Sequence, residues 1–451
     1  MFAGVQFTML RSFKFGLLLM ASGTASANDL LQYYQSALAH DAVLQSASAQ
    51  RDATIEAKPQ ALAQLLPQIL ATGSAERERV GSETLTTCSQ SSDNLPQCYG
   101  NAHGYALTLS QTIWSFQSFS LLKQANRQAA SAQAMLMSAQ QTLLLRVAQA
   151  YFGILAATDQ LTTATSEREA FQVLLGQAKT RLDTGVGPRS DVEQAQSFYD
   201  ATEQGVIDAR NTLDDADLAL AEIVGSSVAG VAPLQNDIPL QPPQPASVDE
   251  WVAAARVDNP LLRAAQLNVE AADYAISVQL GKGLPVLSLT GSSSRSWQDQ
   301  SIGGAQTLDT VGLFVNWPLF QGGAVASGVR QSRATYRQAL ADYETALREA
   351  EKQTRAAYRG VVTGIQRITA AQRAVTSARA AVEASKRNVD FGTGTEFDLL
   401  NAQNNYSAAL RAYSQTRYDY LTSLLTLKQQ SGRLSEKDLA AIDDLLVAGH
   451  S

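Results

Sequence analysis

Along most of this chain apolar residues recur every three or four positions, and in four short stretches they recur every two. From residue 30 to about 63 Leu30, Leu31, Tyr34 and Leu38 keep helical spacing, so one helix is predicted there. Leu66-Pro67 breaks it, and over 68–79 Ile69, Ala71, Gly73 and Ala75 alternate with Gln68, Thr72, Ser74, Glu76 and Glu78, the period of a strand. A polar loop over 80–104 leads to Tyr105, Leu107, Leu109 and Ile113 alternating with Thr108, Ser110 and Thr112, a second strand. No proline falls between Pro96 and Pro188 or after Pro318. A proline inside a helix costs about 3 kcal/mol, so those spans can carry very long helices. Leu136, Leu143, Val147, Ile154, Leu155 and Leu161 predict one over 116–182; some 65 residues at 1.5 Å each would reach about 100 Å. A shorter helix over 190–224 follows. Beyond a Pro- and Gly-rich stretch at 225–247, strands are predicted at 286–295 and at 310–319, where Val311, Leu313, Val315 and Trp317 alternate with Thr310, Gly312, Phe314 and Asn316. Helices over 324–389 and 395–430 and an amphipathic segment at 434–447 complete the pattern.

The second half replays the first. Residues 179–225 lie without a gap on 386–432, keeping Lys179/Lys386, Asp183/Asp390, Gly185/Gly392, Gly187/Gly394, Asp191/Asp398, Gln196/Gln403 and Gly225/Gly432. Residues 41–74 lie on 259–292, keeping Leu44/Leu262, Pro67/Pro285 and Thr72/Thr290. Each copy of the longer match ends a helix, turns on Gly-x-Gly and starts another helix, so each is predicted to be the tip of a helical hairpin, with Asp191 and Asp398 as N-caps. Four strands of about ten residues, each with one apolar face, fit the wall of a membrane barrel, but four cannot close one. Either several chains pool strands, the reading favoured here, or the sheet is small and soluble.

The division this implies is a leader at 1–27, repeats at 28–225 and 247–432, a linker at 226–246 and a C-terminal segment at 433–451. Arg11 and Lys14 precede the apolar run 15–20, and Ala25-Ser26-Ala27 supplies the small residues of a signal-peptidase site, so export is expected. Cys88 and Cys98, the only cysteines, then form a close pair for which a disulfide is predicted over two free thiols. No apolar run of about 18 residues follows the leader, so any membrane crossing is by strands. A net charge of −7 without a Lys/Arg-rich patch argues against nucleic acid. His40, His103 and His450 have no metal-type spacing, and the Gly-x-Gly pairs follow helices and lack a third glycine. No metal, cofactor or catalysis is expected.

The stretches NDLLQYYQSALAHDAVLQSASAQRDA at 28–53, the Leu-Pro strand starts at Leu66 and Leu284, WPLFQGG at 317–323, both turns and the run 412–446 resemble the TolC family of outer-membrane channels over nearly the whole chain. The resemblance implies a homotrimer: a twelve-stranded β-barrel in the outer-membrane lipid, four strands per chain, continued by a long antiparallel α-helical barrel across the periplasm. It implies partnership with a periplasmic adaptor and an inner-membrane ABC or proton-driven transporter. The turns become a periplasmic entrance, with adaptor contacts at Thr184, Gly185, Val186, Phe391, Gly392 and Thr393. The family's two constricting aspartates fall on Asp398 and Asn401, so only the first is kept. Asp191 matches an aspartate that helps hold the tip shut, but its tyrosine and arginine partners are replaced by Val389 and Gly394, leaving Arg189 and Glu396 as the nearest charged substitutes. The rival reading is a periplasmic adaptor or helical scaffold without membrane-spanning strands. Of the tryptophans, Trp297 is assigned to an interfacial aromatic belt, and Trp114 and Trp317 to packing at strand ends.

Overall fold

A computed structural model describes residues 30–81, 89–90, 96–235, 237–298 and 305–447. The leader at 1–27, and Cys88 with its expected bond to Cys98, lie outside the described residues. The single helix expected over 30–63 is three: α1 (Leu30–His40), α2 (Ala42–Ile55) and α3 (Ala57–Ala63). The cause is Asp41, whose extended backbone and side chain cap α2 by accepting the Leu44 N–H at 2.7 Å. Its other oxygen takes an ion pair from Arg146 at 3.0 Å. A cap of this kind contributes about 1 kcal/mol, enough to place the break at the one residue that supplies it.

Four antiparallel strands follow one another across a sheet in the order β1 (Gln68–Gly81), β3 (Pro96–Ser115), β4 (Val286–Gln298), β5 (Ala305–Asn316), with the two-residue β2 (Ser89–Gln90) beside β3. β3 begins well before the expected 105, and β5 begins five residues before the expected 310 and stops at Asn316. Alternation alone could not see those ends, where the sequence is polar on both faces. The register places Ile69, Leu109, Gly291 and Val311 in one row, with Leu107, Leu289, Leu313, Leu287 and Val315 in neighbouring rows of the same face. The opposite face carries chiefly hydroxyls, Thr72, Thr108, Ser110, Thr290, Ser292 and Thr310, with Leu70, Leu308 and Phe314 among them; Ser292 and Thr310 are bonded to each other at 2.7 Å.

The long helices are α4 (Phe116–Asp183), of 68 residues, and α8 (Ala324–Asp390), of 67, each about 100 Å at the helical rise. Between them come α5 (Arg189–Val224), α6 (Val248–Asp258) and α7 (Pro260–Gly281); α9 (Glu396–Gln430) and α10 (Glu436–Asp443) follow. Near the sheet α4 packs on α2, α3 and α7, and towards the tips on α5 and α9; α8 packs on α7 and then α9. The shorter helices meet end to end beside the long ones. Asn259 caps α7 and donates to the Gln430 carbonyl at 2.9 Å. Gly432 closes the same junction, where a Cβ would come within 2.2 Å of the Asp258 carbonyl.

The main core sits at mid-length, around the fully buried Leu30, Leu143, Tyr151, Leu220, Val361, Leu425 and Leu439. Residues 226–235 and 237–247, together with α1, α6 and α10, gather there. The Tyr151 hydroxyl donates to the Ala232 carbonyl at 3.0 Å and accepts its N–H at 2.8 Å. Leu234 and Leu446 form an isolated antiparallel bridge. The N–H of Leu30 donates to Asp443 at 2.9 Å.

Candidate functional site

The expected hairpin tips are present at both positions. After α4, the Arg181 carbonyl accepts the N–H groups of Val186 and Gly187 at 2.9 and 3.0 Å; after α8, the Asn388 carbonyl accepts those of Thr393 and Gly394 at 2.9 and 3.0 Å. Gly185 and Gly392 take φ of 72° and 71°, a left-handed conformation that costs other residues about 1–2 kcal/mol. The second glycine of each pair has a different reason. A Cβ on Gly187 would come within 3.1 Å of the Arg181 Cβ, and one on Gly394 within 2.8 Å of the Asn388 Cβ. Thr184, Gly185, Val186, Phe391, Gly392 and Thr393 are all exposed, and the apolar side chains of Val186 and Phe391 stand 80% open to solvent.

The expected N-caps are displaced by three residues. Pro188 holds that position before α5 and Thr395 before α9, so Asp191 and Asp398 stand at the third helical position. Thr395 and Asp398 form a capping box: the Thr395 hydroxyl donates to the Asp398 carboxylate at 2.6 Å and accepts the Asp398 N–H at 3.2 Å. The threonine hydroxyl, then the Thr395 N–H, hold the Asp398 carboxyl below its usual range. Asn401, one turn further along the same face, donates to the Phe397 carbonyl at 2.9 Å. Pro188 has no side chain that can cap, and α5 starts without a side-chain cap bond.

Arg189 does not meet Glu396. It pairs with Glu193 on its own helix at 3.2 Å, in solvent. The partner of Glu396 is Arg181, a residue the sequence analysis passed over, which also approaches Asp390 at 3.8 Å. Arg181 lies on α4 and Glu396 opens α9, so this pair ties the two hairpins together. The Glu396 side chain is 2% exposed, and its Oε1 has no hydrogen-bond partner within the chain. Burial pushes its carboxyl up; Arg181 pulls against that, while Asp191 and Asp390 add to the rise. Asp191 thus acts on this centre through its charge. The one sign of it in the sequence was a difference between the aligned copies, where Arg181 corresponds to Asn388 and Arg189 to Glu396.

Further along α4 and α9, Glu167 meets Arg411 at 2.6 Å and Asp159 accepts the Tyr418 hydroxyl at 2.8 Å. A small apolar cluster of Phe171, Leu175, Ala178, Ala195 and Leu400 lies between these contacts and the tip. At the other pole of the molecule, Trp297 stacks on His103 at 5.4 Å, lies 5.8 Å from Tyr105 and carries Arg295 over its ring at 5.4 Å. Trp114 and Trp317 stand at the helix end of the sheet, both partly exposed, with Trp317 donating to the Gly283 carbonyl at 3.3 Å.

Among the described residues no helix is long and apolar enough to cross a membrane, and no group of three or more His, Cys, Asp and Glu side chains is placed to hold a metal ion.

Comparison with known proteins gives one answer throughout. The chain is 29% identical over 447 residues to the alkaline protease secretion protein AprF of Pseudomonas aeruginosa, covering 98% of this chain and 92% of that one. It is 30% identical over 440 residues to the outer membrane protein TolC of Escherichia coli K12, covering 94% and 86%. The solved structure of CusC, from work on transmembrane channel formation, superposes with a TM-score of 0.78 at 18% identity, over 90% of this chain and 92% of that one, and so shares its fold. The outer membrane efflux protein family matches residues 33–226 and 251–433, and the chain belongs to that family.

Proposed function

We propose that three copies of this chain form an outer-membrane channel that conducts exported protein or small molecules from an inner-membrane transporter and its periplasmic adaptor to the outside. The observation that carries this reading is the sheet with one apolar and one hydroxyl-lined face, continued by helices far too long for a compact domain. From Val315 to Ala305 the outward face runs ten residue steps, apolar at Val315, Leu313 and Val311 and polar at Asp309 and Thr307 towards the loop end; at about 3.4 Å per residue and a tilt near 40° the whole run gives about 25 Å of height, that of the apolar band of an outer-membrane barrel. Arg295 and Trp297 stand at its loop end, where headgroups would meet them. Pooling strands from three copies gives twelve, and it covers the open edges of β1 and β5.

In this reading the hydroxyl-lined face looks into the pore, the helices continue the tunnel, and the tips form the entrance, with the two repeats 28–225 and 247–432 each giving one hairpin. The exposed Val186 and Phe391 suit contact with an adaptor, and Asp398 with Asn401 suits the constriction. The driving force comes from the transporter, so the chain's own task is to open and conduct. Outer membranes should yield a heat-modifiable trimer on detergent extraction, and that trimer should form discrete channels in planar bilayers. A water-soluble periplasmic monomer without bilayer activity would instead establish the adaptor or scaffold alternative.

A further inference from the structure

We propose that the outward face of the sheet, near its loop end, binds one phosphorylated glycolipid of the outer leaflet per chain, with a phosphate on Arg295, an amide or hydroxyl donor on Asp309 and an acyl chain in a hollow over Gly291. This rests on the barrel proposed above, in which the loop end lies away from the helices and so meets the outer leaflet.

The register puts the parts side by side. Tyr105, Arg295 and Thr307 share one cross-strand row of the outward face; His103, Trp297 and Ala305 form the row towards the loops, and Leu107, Ser293 and Asp309 the row towards the helices. The Arg295 guanidinium lies over the Trp297 ring at 5.4 Å, and the ring is itself stacked on His103 and flanked by Tyr105. An arginine laid on an indole is fixed in direction while its N–H edge stays free, the arrangement in which a guanidinium meets two phosphate oxygens. Arg295 is exposed, and among the described residues it makes no ion pair, its contact being the Trp297 ring. Arg77, also exposed, stands on the same face two strands away and one row beyond His103. Two cations on one face suit a lipid that carries two phosphates.

Towards the helices from this cluster the face is hollow. Ile69, Leu107, Leu109 and Val311 stand around Gly291 and Ser293, and the two small residues leave a depression of about 480 Å³, a size that takes a small ligand or a length of hydrocarbon chain. Asp309 is part of its lining. At about 3.4 Å per residue and a tilt near 40°, Asp309 lies about 5 Å deeper than Arg295, beneath the level of a phosphate held there. A carboxylate at that depth is costly unless it accepts hydrogen bonds. This requirement selects the lipid. In a glycerophospholipid the groups just below the phosphate are ester carbonyls, which only accept; in a glycolipid with amide-linked hydroxyacyl chains they are N–H and O–H groups, which donate. An ionised carboxylate only accepts, so it fits the second and not the first. From Asp309 an acyl chain runs on over Gly291 into the hollow, between Leu109 and Val311.

The test uses the full-length protein extracted in detergent and stripped of lipid, with bound lipid counted by native mass spectrometry. Bisphosphorylated lipid A should bind at one copy per chain and at least tenfold tighter than phosphatidylglycerol or dephosphorylated lipid A. Arg295→Gln should weaken lipid A at least tenfold. Asp309→Val should remove the preference for lipid A over phosphatidylglycerol. Gly291→Leu fills the hollow from the lipid side, where a Cβ meets Val311 at an ordinary 3.7 Å, and should lower lipid A binding while the heat stability of the trimer holds. Arg330→Gln removes an exposed arginine of α8 and should leave lipid A binding unchanged. The proposal is overturned if lipid A binds no better than phosphatidylglycerol, if Arg295→Gln and Arg330→Gln weaken it equally, or if Gly291→Leu leaves it unchanged. A protein that yields no heat-modifiable trimer overturns the channel reading and this site with it, whereas a trimer that ignores lipid A overturns the site alone.

Discussion

Mid-length and tip are built from the same helices and held by different means. At mid-length α4, α8 and α9 are joined by α1, α6, α10 and residues 226–235 and 237–247 around a large core, and even the backbone of Ala232 is satisfied by the Tyr151 hydroxyl. At the tips the core shrinks to five buried side chains with a few partly buried neighbours, joined by a small number of polar bridges such as that of Arg181 with the buried Glu396. Regions with few buried apolar contacts open at lower free energy than the core. In the proposed channel that difference would let the entrance move while the walls stay closed.

The largest effect should come from the middle. Leu425→Ala removes a fully buried side chain from the main core and should cost about 2–5 kcal/mol, seen as a lower yield of trimer in the membrane and a lower unfolding temperature. Leu400→Ala at the tip should lie at the bottom of that range, because its small cluster can collapse around the gap. Equal losses at the two sites would break the contrast between a packed middle and a loose end. Next comes Arg181→Ala. A buried carboxylate left without its cation costs about 3–5 kcal/mol when burial is complete. Arg181 keeps 31% of its side chain exposed, so on the order of 2 kcal/mol is expected. The assembled trimer should persist, but bilayer conductance and sensitivity to a large antibiotic should rise. Glu396→Gln should disturb less, since it removes the burial cost together with the charge, and Asn388→Ala should be silent. An effect of Asn388→Ala matching that of Arg181→Ala would show that the bridge is not what sets the tip. Gly185→Ala and Gly392→Ala come after these at about 1–2 kcal/mol each. Nothing lies near either Cβ position, so the loss is one of backbone conformation, and export should fall while trimers remain.

How far the sequence disclosed all this follows from where its signals are local. The long helices were legible to within a residue or two at each end, because proline-free spans with helical period admit no other structure. The hairpin tips were legible from Gly185 and Gly392. Three-residue errors arose where two similar residues competed for one role: Asp398 has the chemistry of an N-cap, but Thr395 holds the place and uses Asp398 as its partner. The break at Asp41 and the Arg181–Glu396 bridge were not legible. The first is a local cap on the Leu44 N–H, but the ion pair that holds the capping carboxylate comes from Arg146, more than a hundred positions away, and the second joins residues 215 positions apart. Only the fold brings either pair together.

The smallest effect offers the sharpest comparison, because two carboxyls two positions apart should respond to acid in opposite directions. Asp398 is held below its ordinary value of 3.8 by the capping box. A depressed carboxyl stabilises the fold above its unfolded value, and that contribution is lost as pH falls through the folded one. Glu396 is raised above its ordinary 4.5, chiefly by burial, so its charged form opposes the folded tip at neutral pH. That opposition is relieved as pH falls through the raised value. Mild acid should therefore tighten the first turn of α9, and only stronger acid, below about the unperturbed range of Asp, should loosen it. Amide exchange over residues 396–400 should slow and then quicken as pH falls, once corrected for intrinsic rates. Thr395→Ala should abolish the second phase at a cost of about 1 kcal/mol, and Glu396→Gln should abolish the first. The start of α5 has Pro188 where α9 has Thr395 and Arg189 where α9 has Glu396, so it has neither the capping box nor the buried carboxyl and should show neither phase. Two phases there as well would mean that the tips are alike after all, with their pH response coming from the ends of the helices and not from these two side chains.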